Sequence, residues 1–324
     1  MIDQIAQQLK ASSRLLLTSH TNPDGDAVSS MLALGLALKK IDKEVLWVNE
    51  SPIPAVYRFL PSVERISQAA EANRSFDVAV VLDCGDTERI GCDAAVIDCA
   101  PMVVNIDHHA TNTGFGHMQY VDPSACATTE LVYRLLEKMG IALDQDIATA
   151  IYTGILTDTG SFRFSNTNSA AFAVCTEMTA LGVDPYDIAQ HVYGPYPLER
   201  IKLLNLALDS IEISANRKLS MMTVTQAMLN QTGTQLEDVD GLIHYARRIQ
   251  NVKVAALIQE LRNGNEPGGS PGQYHVSLRS DGAIDVAAIA TSYGGGGHQT
   301  AAGFGMQATL AEVKFEIATL AEKL

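Results

Sequence analysis

Two short stretches carry more ionisable chemistry than turns require. "TSHTNPDGDAVSS" sets His20, Asp24 and Asp26 around a proline–glycine turn after an apolar run, and "PMVVNIDHH" ends another apolar run on Asp107, His108 and His109. Two further aspartates stand in comparable places. Asp83 closes "FDVAVVLD", and Asp158 lies in "GILTDTGSFRF" between an apolar helical stretch and a glycine turn. Taken singly, most have an ordinary reading: His20 as a satisfied core histidine, Asp24 as a turn residue, Asp83 and Asp158 as caps or turns. The run from Asp107 to His109 resists that reading, because ionisable groups at the end of an apolar strand are expensive without partners. Carboxylates mixed with imidazoles suit divalent transition ions such as Mn2+ better than Ca2+. Four aspartates and two histidines would suffice for two ions sharing one carboxylate. Such a pair, about 3.5–4 Å apart, can hold and polarise a phosphoryl group and supply a hydroxide near neutral pH. That chemistry needs no Ser-His-Asp or Cys-His nucleophile.

The elements that would place these groups follow from the hydrophobic pattern. "RLLLTSH" predicts a short strand and "DAVSSMLALGLALKK" a buried helix. "KEVLWVNE", "FDVAVVLDCGD" and "PMVVNIDHH" are further apolar strands, each followed by polar turn residues. Near-continuous apolar strands separated by helices predict a parallel sheet covered on both faces. Ligands gather beyond the carboxyl ends of such strands, so the strand-end groups are expected to face one crevice. Helices follow at "TTELVYRLLEKMG", "LDQDIATAIYTGILTDTG" and "NSAAFAVCTEMTALGV", and "PYPLERIKLLNLALDSI" predicts a helix able to connect two domains. Beyond it, "KLSMMTVT", "VKVAALIQEL" and "QYHVSLRSDG" predict strands of a second, smaller sheet, with helices at "GLIHYARRI" and "LAEVKFEIATLAEKL". "NGNEPGGSPGQ" reads as a flexible loop between two of those strands.

Composition bounds the partners. The 324 residues, 47% hydrophobic, are enough for one large domain or two ordinary ones. No apolar run approaches the ~18 residues of a membrane span, and "MIDQIAQQLKASSR" has no signal-peptide character, so a soluble, cytoplasmic protein is expected. Five cysteines without regular spacing point to reduced thiols, with Cys84 a small buried apolar residue. The formal charge of −14 argues against capture of long duplex DNA. It leaves room for short phosphorylated ligands, because bound metal ions invert the local field.

A second set of candidates lies near the end of the chain. "SYGGGGHQTAAGF" contains four consecutive glycines, which lose much backbone entropy on folding. Such a loop can turn several N–H groups toward an anion, particularly if "HQTAAG" begins a helix; a flexible turn is the plain alternative. Arg279 in "HVSLRSDG" is a rigid cationic fork suited to phosphate, and equally an ordinary surface arginine.

"HTNPDGDA", "VVLDCGD", "NIDHH" and "GILTDTGSFRF" resemble, in order and spacing, the motifs of the DHH phosphoesterase superfamily, and "GGGGHQTAAGF" resembles the signature of its DHHA1 domain. The resemblance spans essentially the whole chain and is closest to the NrnA-like group of stand-alone oligoribonucleases and pAp phosphatases. It implies an α/β protein with a parallel-sheet DHH domain over 1–190, a helical linker over 191–212 and a smaller mixed-sheet DHHA1 domain over 213–324, the active site lying in the cleft. It implies one ion on His20, Asp24 and Asp83, and another on Asp26, Asp83, His108 and Asp158, with Asp83 bridging. Mn2+ is expected, with Mg2+ or Co2+ as alternatives. By the same resemblance His109 faces the substrate phosphate and serves the departing oxygen, while Asp107 orients the histidines. Arg163 has no clear family role and reads as readily as a structural ion pair. Gly295, Gly296, Gly297, His298 and Arg279 are expected to hold the nucleotide end that is not hydrolysed.

The implied reaction is hydrolysis of short oligoribonucleotides to mononucleotides, with dephosphorylation of 3′-phosphoadenosine 5′-phosphate (pAp) in the same site. Alternatives are an inorganic pyrophosphatase, a cyclic or linear dinucleotide phosphodiesterase (cyclic di-AMP or pApA), and a nucleotide sensor without turnover. The DHHA1-like signature counts against the pyrophosphatase, and the intact set of candidate ligands counts against the sensor. A homodimer is expected from the family alone.

Overall fold

The structure, a computed structural model, describes residues 1–69, 75–94, 97, 100–194, 196–262 and 272–323. The chain divides into two compact units, Met1–Gly194 and Pro195–Leu324, and the fold is α/β in both. No helix among the described residues is long and apolar enough to cross a membrane.

The described strands of the first unit are β1 (Arg14–Thr18), β2 (Glu44–Val48), β3 (Ile66–Ser67), β4 (Val78–Leu82), β5 (Val103–Asp107) and β6 (Met118–Val121). All pair in parallel, in the order β3-β2-β1-β4-β5-β6. The chain therefore builds one half of the sheet outward from β1, then returns to lay β4 on the other side of it. The β1–β4 boundary is the switch point where a crevice opens at the carboxyl ends of the strands. Leu15, Leu17, Val78, Val80 and Leu82 face one core, while Leu16, Ala79 and Val81 face another. Burial on both faces explains why these strands read as unbroken apolar runs rather than alternating ones. Each fully buried Leu or Val contributes about 1.5–3 kcal/mol against chain entropy.

Helix Gly25–Lys39 packs against helix Gln145–Asp158, with Val28, Met31, Leu32, Leu34 and Leu38 all buried. Its start is set by Asp24, whose Oδ1 accepts the N–H groups of Asp26 and Ala27, both at 3.1 Å. Helix Thr128–Met139 stops at Gly140, which adopts the left-handed conformation.

In the second unit the described strands are β7 (Glu212–Ile213), β8 (Leu219–Val224), β9 (Val254–Arg262), β10 (Gly272–Ser280), β11 (Gly296–His298) and β12 (Ala301–Ala308). They run in the order β11-β12-β10-β9-β8-β7, antiparallel except for the parallel pair β8–β9. The sequence reading anticipated β8, β9 and β10. It missed β7, which spans two residues, and β11 and β12, whose glycines are poor strand formers. The proposed helix start at "HQTAAG" is corrected. β11 and β12 form a hairpin in which Gly296 lies opposite Gly303 and His298 opposite Ala301. Helix Leu198–Asp209, expected to connect two domains, buries Leu203 and Ala207 in one cluster with Met222 and Val224 of β8. Most of "NGNEPGGSPGQ", residues 263–271, lies outside the described residues, and Gly272 and Gln273 open β10.

Candidate metal centre

The carboxyl ends of β1, β4 and β5 bring the strand-end groups together. Asp83 follows β4 with φ +53, a left-handed conformation that aspartate tolerates better than most residues. His20 Nδ1–H donates to the Thr21 carbonyl (2.8 Å), so the other nitrogen, Nε2, faces Asp83 Oδ2 at 3.7 Å. His108 is held the same way, its Nδ1–H donating to the Ala125 carbonyl (3.3 Å). Its Nε2 lies 3.6 Å from Asp158 Oδ2, 3.8 Å from Asp83 Oδ1 and 4.0 Å from Asp26 Oδ2.

These separations are too long for hydrogen bonds. An ion with bonds of ~2.1 Å in octahedral geometry sets neighbouring donors ~3.0 Å apart and opposite donors ~4.2 Å apart. The spacings fall within that range, and nitrogen with carboxylate oxygen is a donor set that divalent transition ions accept. Among the described residues, three groups could hold a cation: His20–Asp24–Asp83, Asp26–His108–Asp158, and Asp83–His108–His109. His20, Asp26 and Asp83 are buried, and carboxylate charges buried side by side are costly unless a cation joins them. Asp158 closes the helix Gln145–Asp158, where the macrodipole opposes a carboxylate and a cation would relieve it.

The electrostatics follow from this crowding. At His108 burial opposes a charged ring, but the carboxylates of Asp83, Asp26 and Asp158 prevail and push its pKa up to about 9. Burial, then the charge on Asp83, raises Asp26 to about 7, and burial with the charge on Asp26 raises Asp158. Burial opposes the charged forms of His20 and His109 as well, yet Asp83 and Asp24 raise the first, and Asp107 and Asp83 the second. Asp83 moves the other way. Burial opposes its ionisation, but His20, His109 and His108 hold its carboxyl well below the usual range.

A pH dependence follows. Groups with raised pKa values lose protons as pH rises, and ligands must be deprotonated to bind an ion. Apparent Mn2+ affinity is therefore expected to climb between about pH 6 and 9, with protons released on binding. Calorimetry at pH 7 in buffers of different ionisation enthalpy measures that release. Heats that do not depend on the buffer would contradict it.

Apart from Asp107, which was expected to orient the histidines, sequence reasoning missed the groups that hold these side chains in place. Asp107, fully buried, accepts His109 Nδ1–H at 2.6 Å through Oδ1 and Asn112 Nδ2–H at 2.6 Å through Oδ2. Asn112 also donates to Asn105 Oδ1 (2.8 Å), and Asn105 donates to the carbonyls of Val81 and Cys84. An asparagine inside the apolar run "PMVVNIDHH" was a legible signal, because a buried amide needs partners. Asn166 donates to Asp158 Oδ2 (2.9 Å), and Thr128 and Thr129 contact Asp83 and Asp26. Arg163, read as able to form an ion pair, donates its Nε–H to the Gly160 carbonyl.

The second-unit candidates sit on β10, on β11 and, for Gly295, just before β11. Arg279 is half-buried, its Nη1–H donating to the Leu278 carbonyl (2.9 Å). Burial lowers its pKa, with Asp240 opposing and Arg247 reinforcing, and burial with nearby arginines depresses His244 and His275 too. The glycine run has a packing reason: a Cβ at Gly295 would meet the Gly303 carbonyl, and one at Gly297 would crowd Ala301 and Ala302. Gly296 faces open space, and the His298 side chain lies outside the described set.

A family model described as the DHH family, N-terminal domain, matches residues 14–155, and one described as the DHHA1 domain matches residues 221–323. A bifunctional oligoribonuclease and PAP phosphatase NrnA of Thermus thermophilus is 33% identical over 300 residues, covering 92% of this chain and 86% of that protein. The chain belongs to the DHH family. Within the DHH match lie His20, Asp24, Asp26, Asp83 and Asp107 to His109, with Asp158 just past its end. The DHHA1 match contains Arg279 and Gly295 to His298. A protein of the same name from Bacillus subtilis is 24% identical over 308 residues, 94% of this chain and 92% of its own length. A solved structure of an exopolyphosphatase-related protein from Bacteroides fragilis has a TM-score of 0.88 at 27% identity, covering 98% of this chain and 94% of that one.

Proposed function

We propose that this DHH-family chain is a metal-dependent phosphoesterase that trims short oligoribonucleotides to mononucleotides and removes a phosphate from pAp. The observation that carries this reading is the placement of His20 and His108 on opposite oxygens of Asp83, at 3.7 and 3.8 Å. In this reading His20, Asp24 and Asp83 hold one divalent ion, and Asp26, Asp83, His108 and Asp158 hold the other. The mixed donors favour Mn2+ over Ca2+. Bound there, such ions polarise a phosphoryl group and lower the pKa of water.

The chain's own residues supply the rest. His109, its Nδ1–H committed to Asp107, gives a proton from its other nitrogen to the leaving oxygen as the phosphorus–oxygen bond breaks. The water whose oxygen bonds to phosphorus releases its proton to solvent, and His109 takes one back from solvent. On the second unit, Arg279 is a cationic fork suited to holding a phosphate. The NrnA relatives and the DHHA1 domain support nucleotide chains and pAp over pyrophosphate as substrates.

The test is a time course with 5′-labelled RNA di- to pentamers, pAp, pApA, cyclic di-AMP and pyrophosphate, each with Mn2+ and with chelator. Mn2+-dependent loss of the short RNAs and pAp is expected. Turnover confined to pyrophosphate would overturn the substrate assignment and spare the metal centre. Nucleotide binding without turnover would make the chain a sensor.

A further inference from the structure

The candidate ligand carboxylates are not free to choose which oxygen they offer, and the constraint comes from the start of helix Thr128–Met139. We infer that Thr128 and Thr129 are positioning residues that decide which oxygens of Asp26 and Asp83 remain for cations. The inference rests on the metal centre proposed above.

A carboxylate oxygen has about two lone-pair sites. Asp26 Oδ1 accepts Thr129 N–H (2.9 Å) and Thr129 Oγ1–H (2.7 Å), with Ser30 Oγ at 3.4 Å, so it is filled. Asp26 Oδ2 accepts only Thr128 N–H (2.6 Å) among these donors, and it is Oδ2 that faces His108 Nε2. Asp26 therefore offers one lone pair, on the side of His108 and Asp158. Thr128 Oγ1–H donates to Asp83 Oδ1 (2.9 Å), which restricts that oxygen to the His108 side while Oδ2 serves His20. The threonines thus hold Asp26 to one-oxygen coordination and split Asp83 between two positions.

The arrangement is itself held. Both threonines are fully buried, and the absence of a side chain at Gly154 leaves the space that the Thr129 side chain fills. The fully buried Glu130 accepts Cys126 N–H (2.7 Å) and pairs with Arg134, which ties the turn before the helix to its second turn. Neither threonine needs to touch substrate to act. They act through Asp26 and Asp83, as outer groups around metal ligands do.

The test is Mn2+ titration of metal-free protein by electron paramagnetic resonance, with thermal melts in chelator run in parallel. Thr128→Val and Thr129→Val keep the backbone donors and the side-chain shape but remove the hydroxyls. Thr129→Val is expected to weaken one of two Mn2+ positions by roughly 10–100-fold and leave the other near wild type. Thr128→Val is expected to weaken both, because Asp83 serves both. Thr128→Ser and Thr129→Ser restore the hydroxyls and should restore affinity. Valine variants that bind like wild type would overturn the inference, whatever their melting temperature. So would serine variants as weak as the valine ones. If the wild-type protein takes up no Mn2+, the metal centre itself is wrong and this inference falls with it.

Discussion

Replacing Asp83 by asparagine is expected to lower phosphodiester turnover on the order of 10³-fold, about 4 kcal/mol at 1.36 kcal/mol per decade. Asparagine is the informative choice because of the backbone. Asp83 sits at φ +53, where asparagine is tolerated and alanine would add about 1–2 kcal/mol of strain. The amide keeps the shape and the left-handed turn, removes the charge and turns one acceptor oxygen into an NH2 donor. That charge is the one both candidate ion positions use, with His20 on Oδ2 and His108 on Oδ1. Its carboxyl is held well below the usual range, so the wild-type group is anionic at neutral pH. A second readout separates lost ions from lost chemistry. Each Mn2+ ion bound at 100 times its Kd should stabilise the wild-type fold by about 2.7 kcal/mol. Asp83→Asn should show little of that gain and unfold in chelator much as wild type does. Mn2+-dependent turnover within tenfold of wild type would remove Asp83 from the centre.

Gly35→Ala should destabilise the first unit, although it lies inside a helix where alanine ordinarily gains about 1 kcal/mol over glycine. The reason is space. A Cβ at Gly35 would fall into the indole of Trp47, which is 2% exposed and donates its N–H to the Met31 carbonyl at 2.8 Å. Overpacking a closed core costs typically about 1–3 kcal/mol, and more where the neighbour cannot swing aside. A rigid ring, packed around and hydrogen-bonded, is such a neighbour, so the steric cost outweighs the propensity gain. A net loss of about 2 kcal/mol lowers the melting temperature by roughly 4–8 °C in a unit of this size. Trp47 is the only tryptophan in the sequence, so its fluorescence reports unfolding of the first unit without a label. An unchanged or higher melting temperature would show that the indole shifts at little cost.

The two outcomes probe different levels of what was legible. Asp83 stands out because a carboxylate ends an otherwise apolar run, and that signal is local. Its left-handed backbone is not legible, since "VVLDCGD" is equally compatible with a strand that continues or a cap. The Gly35 constraint is invisible in "LALGLALKK", because it depends on a ring from β2 packed across the helix. Asn112, Thr128 and Thr129 escaped for a similar reason: each is an ordinary polar residue until its partner, from another segment, is known. The hairpin β11–β12 escaped because "GGGGHQTAAGF" has weak strand propensity and gains its order from pairing with β10.

By itself the sequence determined the types of most elements and the supply of carboxylates and imidazoles at strand ends, because hydrophobic period and side-chain chemistry are local properties. Only the tertiary structure decided that β1 lies beside β4 and β4 beside β5, which leaves His20 and His108 on opposite oxygens of Asp83. Strand order depends on which helices cover which face of the sheet, and burial of that kind has no signature within any one segment.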